Sequence, residues 1–517
     1  MVDVWVQNAQ KWVNERYGKV PGFTPAPTDG KAGVDTIKAL TRALQHELGI
    51  TDLSDEFGPK TFSILTSKYP TVSSTTDNDG IRGIVQAALW CKGFSGMAIK
   101  DGKWTVWDST TKTSVANFRA NMGFSAEPII FPKLFKSLLT THSAVAVSGG
   151  SALVRSIQQS LNGRYAGRQD YSLVPCDGVY SGDVQEALIY AVQYEVGLPD
   201  GTANGFLGSA TKAGLQSEAA HLVQGSTDSS HYFVHLFQAA LTFNKYYNGP
   251  YDGIFSAKIV EIVKSLQEAA LLPQTGEADR KTWASVLVST GDSERMDSAK
   301  AVDCITTITT ENAKTLKAAG YAIVGRYLTN TPNVDDPTDK NIKPGELATI
   351  FANDLSVFPI FQEGGTESSF FTYEKGKIAA ERAHNAALSY GFLPGTTIYF
   401  AVDFDASEDD VYSNIVPFFQ GIKDKWAECP SLGQYKVGIY GVRNACSIVS
   451  EKGLASLSYV SDMSYTWRGN IGFTLPKNWA FDQIKEYPIG SGDGKINIDK
   501  NIVSGRDSGQ KSVKVPQ

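Results

Sequence analysis

Residues 396–407 read TTIYFAVDFDAS, an apolar run that ends in two aspartates one residue apart, Asp403 and Asp405. The five residues 398–402 are aromatic, branched or small, with no polar position among them. A strand with no polar face is one buried on both sides, as in a parallel sheet covered by helices. Ionised carboxylates are poorly tolerated in such an interior. The end of the strand must therefore open onto water or a ligand. Side chains two apart on a strand share a face, so Asp403 and Asp405 are expected to point the same way.

The same grammar extends outward in both directions. Apolar strand-like runs recur at KAVDCIT (300–306), YAIVGRYLT (321–329), LSVFPIFQEGG (355–365), YKVGIYG (435–441), LSYVSDMSY (457–465), NWAFDQIKE (478–486) and GKINIDKNI (494–502). Helical periodicity separates the first five strands, and the later connections are shorter. Eight strands between residues 299 and 510 predict an α/β, TIM-like (β/α)8 barrel. In such barrels the chemistry sits at the C-terminal strand ends. There the sequence places Asp303, Glu363, Asp403, Asp405, Asp482 and Asp499, with Tyr327 and Tyr440 ending strands two and five and Arg326 and Arg443 nearby. Crowded carboxyls repel, which keeps a proton on at least one of them. A protonated acid beside an ionised carboxylate is the minimum for cleaving a glycosidic bond.

Residues 299 to about 510 resemble the bacterial glycoside hydrolase-like barrels related to family-25 muramidases. The resemblance is carried by AVDCITT, VGRYLT, FPIFQEGG, IYFAVDFDAS, KVGIYG and WAFDQ with INIDKN. It implies that Asp303, the Asp403/Asp405 pair and Asp482 or Asp499 line a sugar site. Asp405 stands where the muramidases carry a proton-donating glutamate. The expected acid/base groups are Asp405 and Glu363, supported by Asp303 and Asp403. Tyr327, Tyr440 and Trp479 are expected to stack on sugar, and Arg326, Asp482 and Asp499 to help bind it. The plainer reading of Asp403 is an ion pair with Arg326 or Arg443.

The first 290 residues follow a different pattern, a fourfold repeat. Each unit opens with a helix-like segment, such as VRSIQQSLNGRY from Val154. An Asp-Gly turn follows, at Asp29, Asp101, Asp177 and Asp252, then an amphipathic helix and a short closing helix. The units span residues 1–72, 78–143, 150–218 and 229–290, with a polar linker at 291–298 and a tail at 511–517. They resemble the peptidoglycan-binding domain family, three-helix modules with a glutamine on each of the first two helices. Gln86, Gln158 and Gln238 match the first glutamine, and Gln45, Gln193 and Gln267 the second. Unit two has ANFRANMG in place of the second glutamine.

The chain is thus expected to be multidomain, with all-α three-helix repeats before an α/β barrel. A net charge of −6 argues against a nucleic-acid partner, and no apolar run is long enough to cross a membrane. The first residues lack the pattern of a secretory leader, so a secreted or wall-associated location implies a non-classical or phage-type route. Five scattered cysteines form no disulfide framework or metal motif, and five of the six histidines lie outside the barrel. No metal or cofactor is expected. The implied function is a glycosidase that cuts peptidoglycan or a related glycan; the alternative is a glycan-binding scaffold with a silent barrel.

Overall fold

The computed structural model describes residues 2–96, 99–100, 103–104, 107–332, 338–429 and 434–514. The chain divides into two compact units, Met1–Phe206 and Leu207–Gln517.

The repeat grammar appears as opening and second helices at Val4–Tyr17 and Val34–Glu47, Asp79–Cys91 and Ser109–Asn121, Ala152–Tyr165 and Gly182–Glu195, and Phe233–Phe243 and Ala257–Ala269. Asp3, Asn78 and Ser151 cap their helices by accepting from first-turn N–H groups. The repeat glutamines are buried fasteners. Gln158 accepts from the Gly178 N–H at 2.8 Å and donates to Asp177 Oδ1 and the Val179 carbonyl, both at 2.9 Å. Gln238 makes the same bonds around Asp252-Gly253. So does Gln10 around Asp29-Gly30, although its equivalence is not among the sequence matches. The turn glycines sit at φ of 69°, 82° and 68°, where a Cβ is disfavoured. Gln45, Gln193 and Gln267 clamp the next loop in the same way. In unit two Arg119 takes that role, donating to the carbonyls of Ser125 and Ile129. The expected turn at Asp101 lies outside the described residues.

The second unit contains a closed barrel of eight strands: β1 Ala301–Asp303, β2 Ile323–Tyr327, β3 Ser356–Phe361, β4 Thr397–Ala401, β5 Lys436–Gly441, β6 Leu457–Val460, β7 Trp479–Ile489 and β8 Ile496–Val503. β1 to β7 are parallel. β8 returns antiparallel to both β7 and β1, so the strict (β/α)8 alternation is not kept. Helices follow each of the first five strands, whereas β7 and β8 form a hairpin. Inside the barrel Phe358 stacks on Phe481 at 4.1 Å, beside Tyr399 and Tyr459. Gly325 leaves room for this layer, since a Cβ there would lie 2.5 Å from the Phe358 ring. The larger hydrophobic layer lies between strands and helices.

The polar segment 291–298 is not a loose tether. Asp292 is buried and pairs with Lys212 and Arg280 at 3.2 and 3.0 Å, and Arg295 donates to the Ala270 carbonyl at 2.7 Å. The fourth repeat is joined to the barrel by this seam.

Candidate active site

The mouth of the barrel gathers three carboxyls. Asp303 ends β1 and lies opposite Asp499 in the β8–β1 register. Because β8 runs antiparallel, Asp499 reaches the same mouth from within its strand. Asp403 follows β4, and its electrostatic influence reaches both other acids. Asp303 is 2% exposed, and its Oδ1 accepts from Tyr459 Oη, Gln483 Nε2 at 3.1 Å and Asn501 Nδ2 at 3.0 Å. Burial nevertheless pushes this carboxyl up, opposed by those three donors and helped by Asp403. Burial and then the Asp303 charge push Asp499 up to about 8, so the mouth carries a protonated acid at neutral pH.

Asp403 is raised by burial, but it has side-chain support that Asp499 lacks among the described residues. Gln362 Nε2 donates to its Oδ2 at 3.1 Å, and Lys340 Nζ donates to Gln362 Oε1 at 2.7 Å. The Lys340 ammonium lies 4.6 Å over the Tyr327 ring, and burial lowers it to about 8. Tyr440 donates to Gln483 Oε1 at 2.9 Å. Burial, followed by the surrounding carboxylates, raises both Tyr327 and Tyr440.

Other expected residues lie elsewhere. Strand β4 stops at Ala401, so the period-two argument does not reach Asp405. Asp405 instead pairs with exposed Arg468 at 3.1 Å and accepts from the Gly469 N–H. Glu363 pairs through Oε2 with Arg382 at 2.7 Å, while its Oε1 is buried without a hydrogen-bond partner among the described residues. It lies near enough to act on Lys340.

Arg326 faces away from the barrel interior, between Gly325 and Tyr327, which face inward. It is fully buried against Glu346 at 2.6 Å and also donates to the Cys304 carbonyl, so it braces the wall. A bulge between β6 and β7 turns Phe481 and Gln483 inward and Asp482 outward. Asp482 joins a buried seam cluster with Arg295 at 3.9 Å, near Asp462 and Arg443. Trp479 starts β7, at the end away from the mouth, and is buried in the outer hydrophobic layer. Asp403 pairs with neither Arg326 nor Arg443; the latter is bound to Asp462 at 2.6 Å. Sequence reasoning missed Lys340, Gln362, Tyr459, Gln483 and Asn501. All but Lys340 lie in the strand segments read from the sequence: Gln362 in FQEGG next to Glu363, Tyr459 in LSYVSDMSY, Gln483 in WAFDQ and Asn501 in INIDKN.

Comparison with known proteins follows this division. Residues 314–503 match the Rv2525c-like, glycoside hydrolase-like domain, and residues 3–124 and 147–287 match the FadG/YbfG, PGDB-like domain. The uncharacterized protein FadG of Bacillus subtilis (strain 168) is 46% identical over 516 residues, covering 99% of this chain and 87% of FadG. The chain belongs to the FadG/YbfG family. A second FadG/YbfG relative, the uncharacterized protein YbfG of the same strain, is 43% identical over 527 residues, covering all of this chain and 69% of YbfG. Solved structures with some likeness to this FadG/YbfG member include the Mycobacterium tuberculosis Tat-secreted protein Rv2525c in complex with HEPES. It is 21% identical, covers 42% of this chain and all of its own, and has a TM-score of 0.33. An uncharacterized B. stearothermophilus protein is 18% identical, covers 40% of this chain and 96% of its own, with a TM-score of 0.30.

Proposed function

We propose that the barrel hydrolyses a glycosidic bond, with bacterial peptidoglycan as the substrate and the N-terminal repeats as its anchors on that polymer. The observation that carries this reading is the meeting of Asp303, Asp403 and Asp499 at one mouth flanked by Tyr327 and Tyr440. Asp499 holds the proton that a leaving oxygen needs. Asp403, with the Gln362 amide and Lys340 close by, is the carboxylate that activates water or meets the oxocarbenium-like centre. Asp303, fixed by three donors, supplies the negative field that keeps Asp499 protonated. This assignment replaces Asp405 and Glu363 as the leading pair. The muramidase-like cut remains the specific bond proposed.

The test is release of reducing ends from purified peptidoglycan by the full chain, with mass spectrometry of the new sugar end. Asp403→Asn and Asp499→Asn are each expected to lower turnover by about 10³-fold, and Asp405→Asn by less than about fivefold. Equal activity of the first two variants and wild type would discard the mechanism. The competing reading is a barrel that holds glycan without cutting it. That reading requires retention on the polymer with no new ends.

A further inference from the structure

A groove of about 450 Å³ lies within the N-terminal unit, apart from the barrel. Its volume falls in the range of ligand pockets. It is bordered by the helices Pro132–Leu138 and Gly182–Glu195 and by residues 171–174, which lie outside any helix or strand. Phe57 and Phe62 supply apolar wall. Three features there lack an internal explanation. Lys136 and Glu186, one on each helix, are exposed and have no hydrogen-bond or ion-pair partner among the described residues. The main-chain groups of Ser172 and Leu173 make no hydrogen bond to a described residue, although the strip runs along the groove. The Tyr171 hydroxyl is buried without a hydrogen-bond partner among the described residues, on a residue 1% exposed.

Nearby charges show the same mixture of signs. His142 lies 3.5 Å from Asp183, and Lys133 donates to the carbonyls of Arg168 and Tyr171. The Lys133 ammonium has no carboxylate pair among the described residues, and burial lowers it to about 8. A neutral sugar would leave Lys136 and Glu186 unanswered. A peptide answers the first two features, because an extended chain pairs its backbone with an open strip and places side chains i and i+2 on one face. An extended tripeptide spans about 10 Å and is of a size for this volume.

We infer that this groove is a binding site for a short extended peptide carrying one acidic and one basic side chain, held by Lys136, Glu186 and the Ser172–Leu173 backbone. The inference does not depend on whether the barrel cuts glycan.

Calorimetric titration of the full chain tests it with acetyl-Glu-Ala-Lys-amide and acetyl-Lys-Ala-Glu-amide, which differ in charge order. Acetyl-Ala-Ala-Ala-amide and triacetylchitotriose are the neutral-peptide and sugar arms. One charged peptide is expected to bind with Kd of about 1 mM or tighter, and both neutral probes at least tenfold more weakly. Lys136→Glu and Glu186→Lys, both exposed positions, are each expected to weaken the charged peptide by about tenfold or more. The inference is overturned if neither charged peptide binds, if triacetylchitotriose binds better, or if both charge reversals bind like wild type.

Discussion

In the repeats a buried polar side chain is a neutral amide with its hydrogen-bonding groups taken up. At the barrel mouth it is a carboxyl crowded by other carboxyls. Gln10, Gln158 and Gln238 each join an Asp-Gly turn through donated and accepted bonds, leaving no charge and little strain. Asp303, Asp403 and Asp499 are all raised by burial, and the Asp403 charge adds to the rise of both others, as the Asp303 charge does to that of Asp499. Buried polar groups that serve only the fold are normally satisfied. A cluster that disfavours its own ionisation is paid for by the rest of the fold and points to chemistry. The seam between the fourth repeat and the barrel is intermediate, for it is highly charged yet largely paired.

That middle case provides the largest expected effect on stability. Arg443 donates to both oxygens of Asp462, at 2.7 and 2.6 Å, and to the Ser289 carbonyl at 2.9 Å. Arg443→Met strands Asp462 in the interior beside Asp482, and a loss of about 3–5 kcal/mol is expected in urea unfolding of the barrel transition. Asp482 is different. Burial and then Asp462 push it well above the usual carboxylate range, so the interior favours its neutral form, which an amide resembles. Asp482→Asn should therefore change stability by less than about 1 kcal/mol. If the two variants are equally damaging, the seam is a charged network throughout and the contrast fails.

The difference between the two regions also explains what the sequence could disclose. The eight strands were legible because apolar runs bounded by turns are required wherever a sheet is buried on both faces. The same burial removes the alternation that marks inside from outside. Arg326 and Asp482 therefore look like mouth residues in the sequence but lie on the outer wall. Asp405 was misplaced because nothing in IYFAVDFDAS marks the strand end at Ala401. The antiparallel course of β8, which brings Asp499 opposite Asp303, depends on the closing hairpin and is absent from local pattern. In the repeats the Asp-Gly turns and helical spacing were clear. The use of the glutamines was not, because a buried clamp and a ligand contact require the same amide.

Gln158→Ala takes the comparison to the repeat side. It removes the acceptor for the Gly178 N–H and the donor to the Val179 carbonyl, leaving both turn groups short of a partner. A loss of about 2 kcal/mol is expected for the N-terminal unit in urea or thermal melts. Stability within about 0.5 kcal/mol of wild type would show that the glutamine is available for a ligand rather than used by the fold.

The corresponding change at the mouth has the opposite sign. Asp499 binds its proton up to about pH 8 when folded, against about 4 when unfolded. Between those values the native state binds more protons than the unfolded state, so this group lowers stability as pH rises. Asp499→Asn should be neutral near pH 4 and stabilise the barrel by roughly 1–2 kcal/mol at pH 8, even as it removes turnover. A pH-independent difference would mean that Asp499 is an ordinary surface acid.

The smallest effect separates chemistry from packing at Lys340. Through Gln362 its ammonium favours the ionised form of Asp403, and it also covers the Tyr327 ring. Removing the charge in Lys340→Met raises Asp403, because an ionised carboxylate loses its nearby cation. The acid limb of the pH–turnover profile should then move to higher pH by about half a unit to one unit, and Lys340→Arg should restore most of it. A lysine that only packs on Tyr327 would lower the melting temperature and leave the limb in place. A limb that moves in Lys340→Met and returns in Lys340→Arg would make Lys340 a positioning residue that acts on Asp403 through its charge rather than its aliphatic stem.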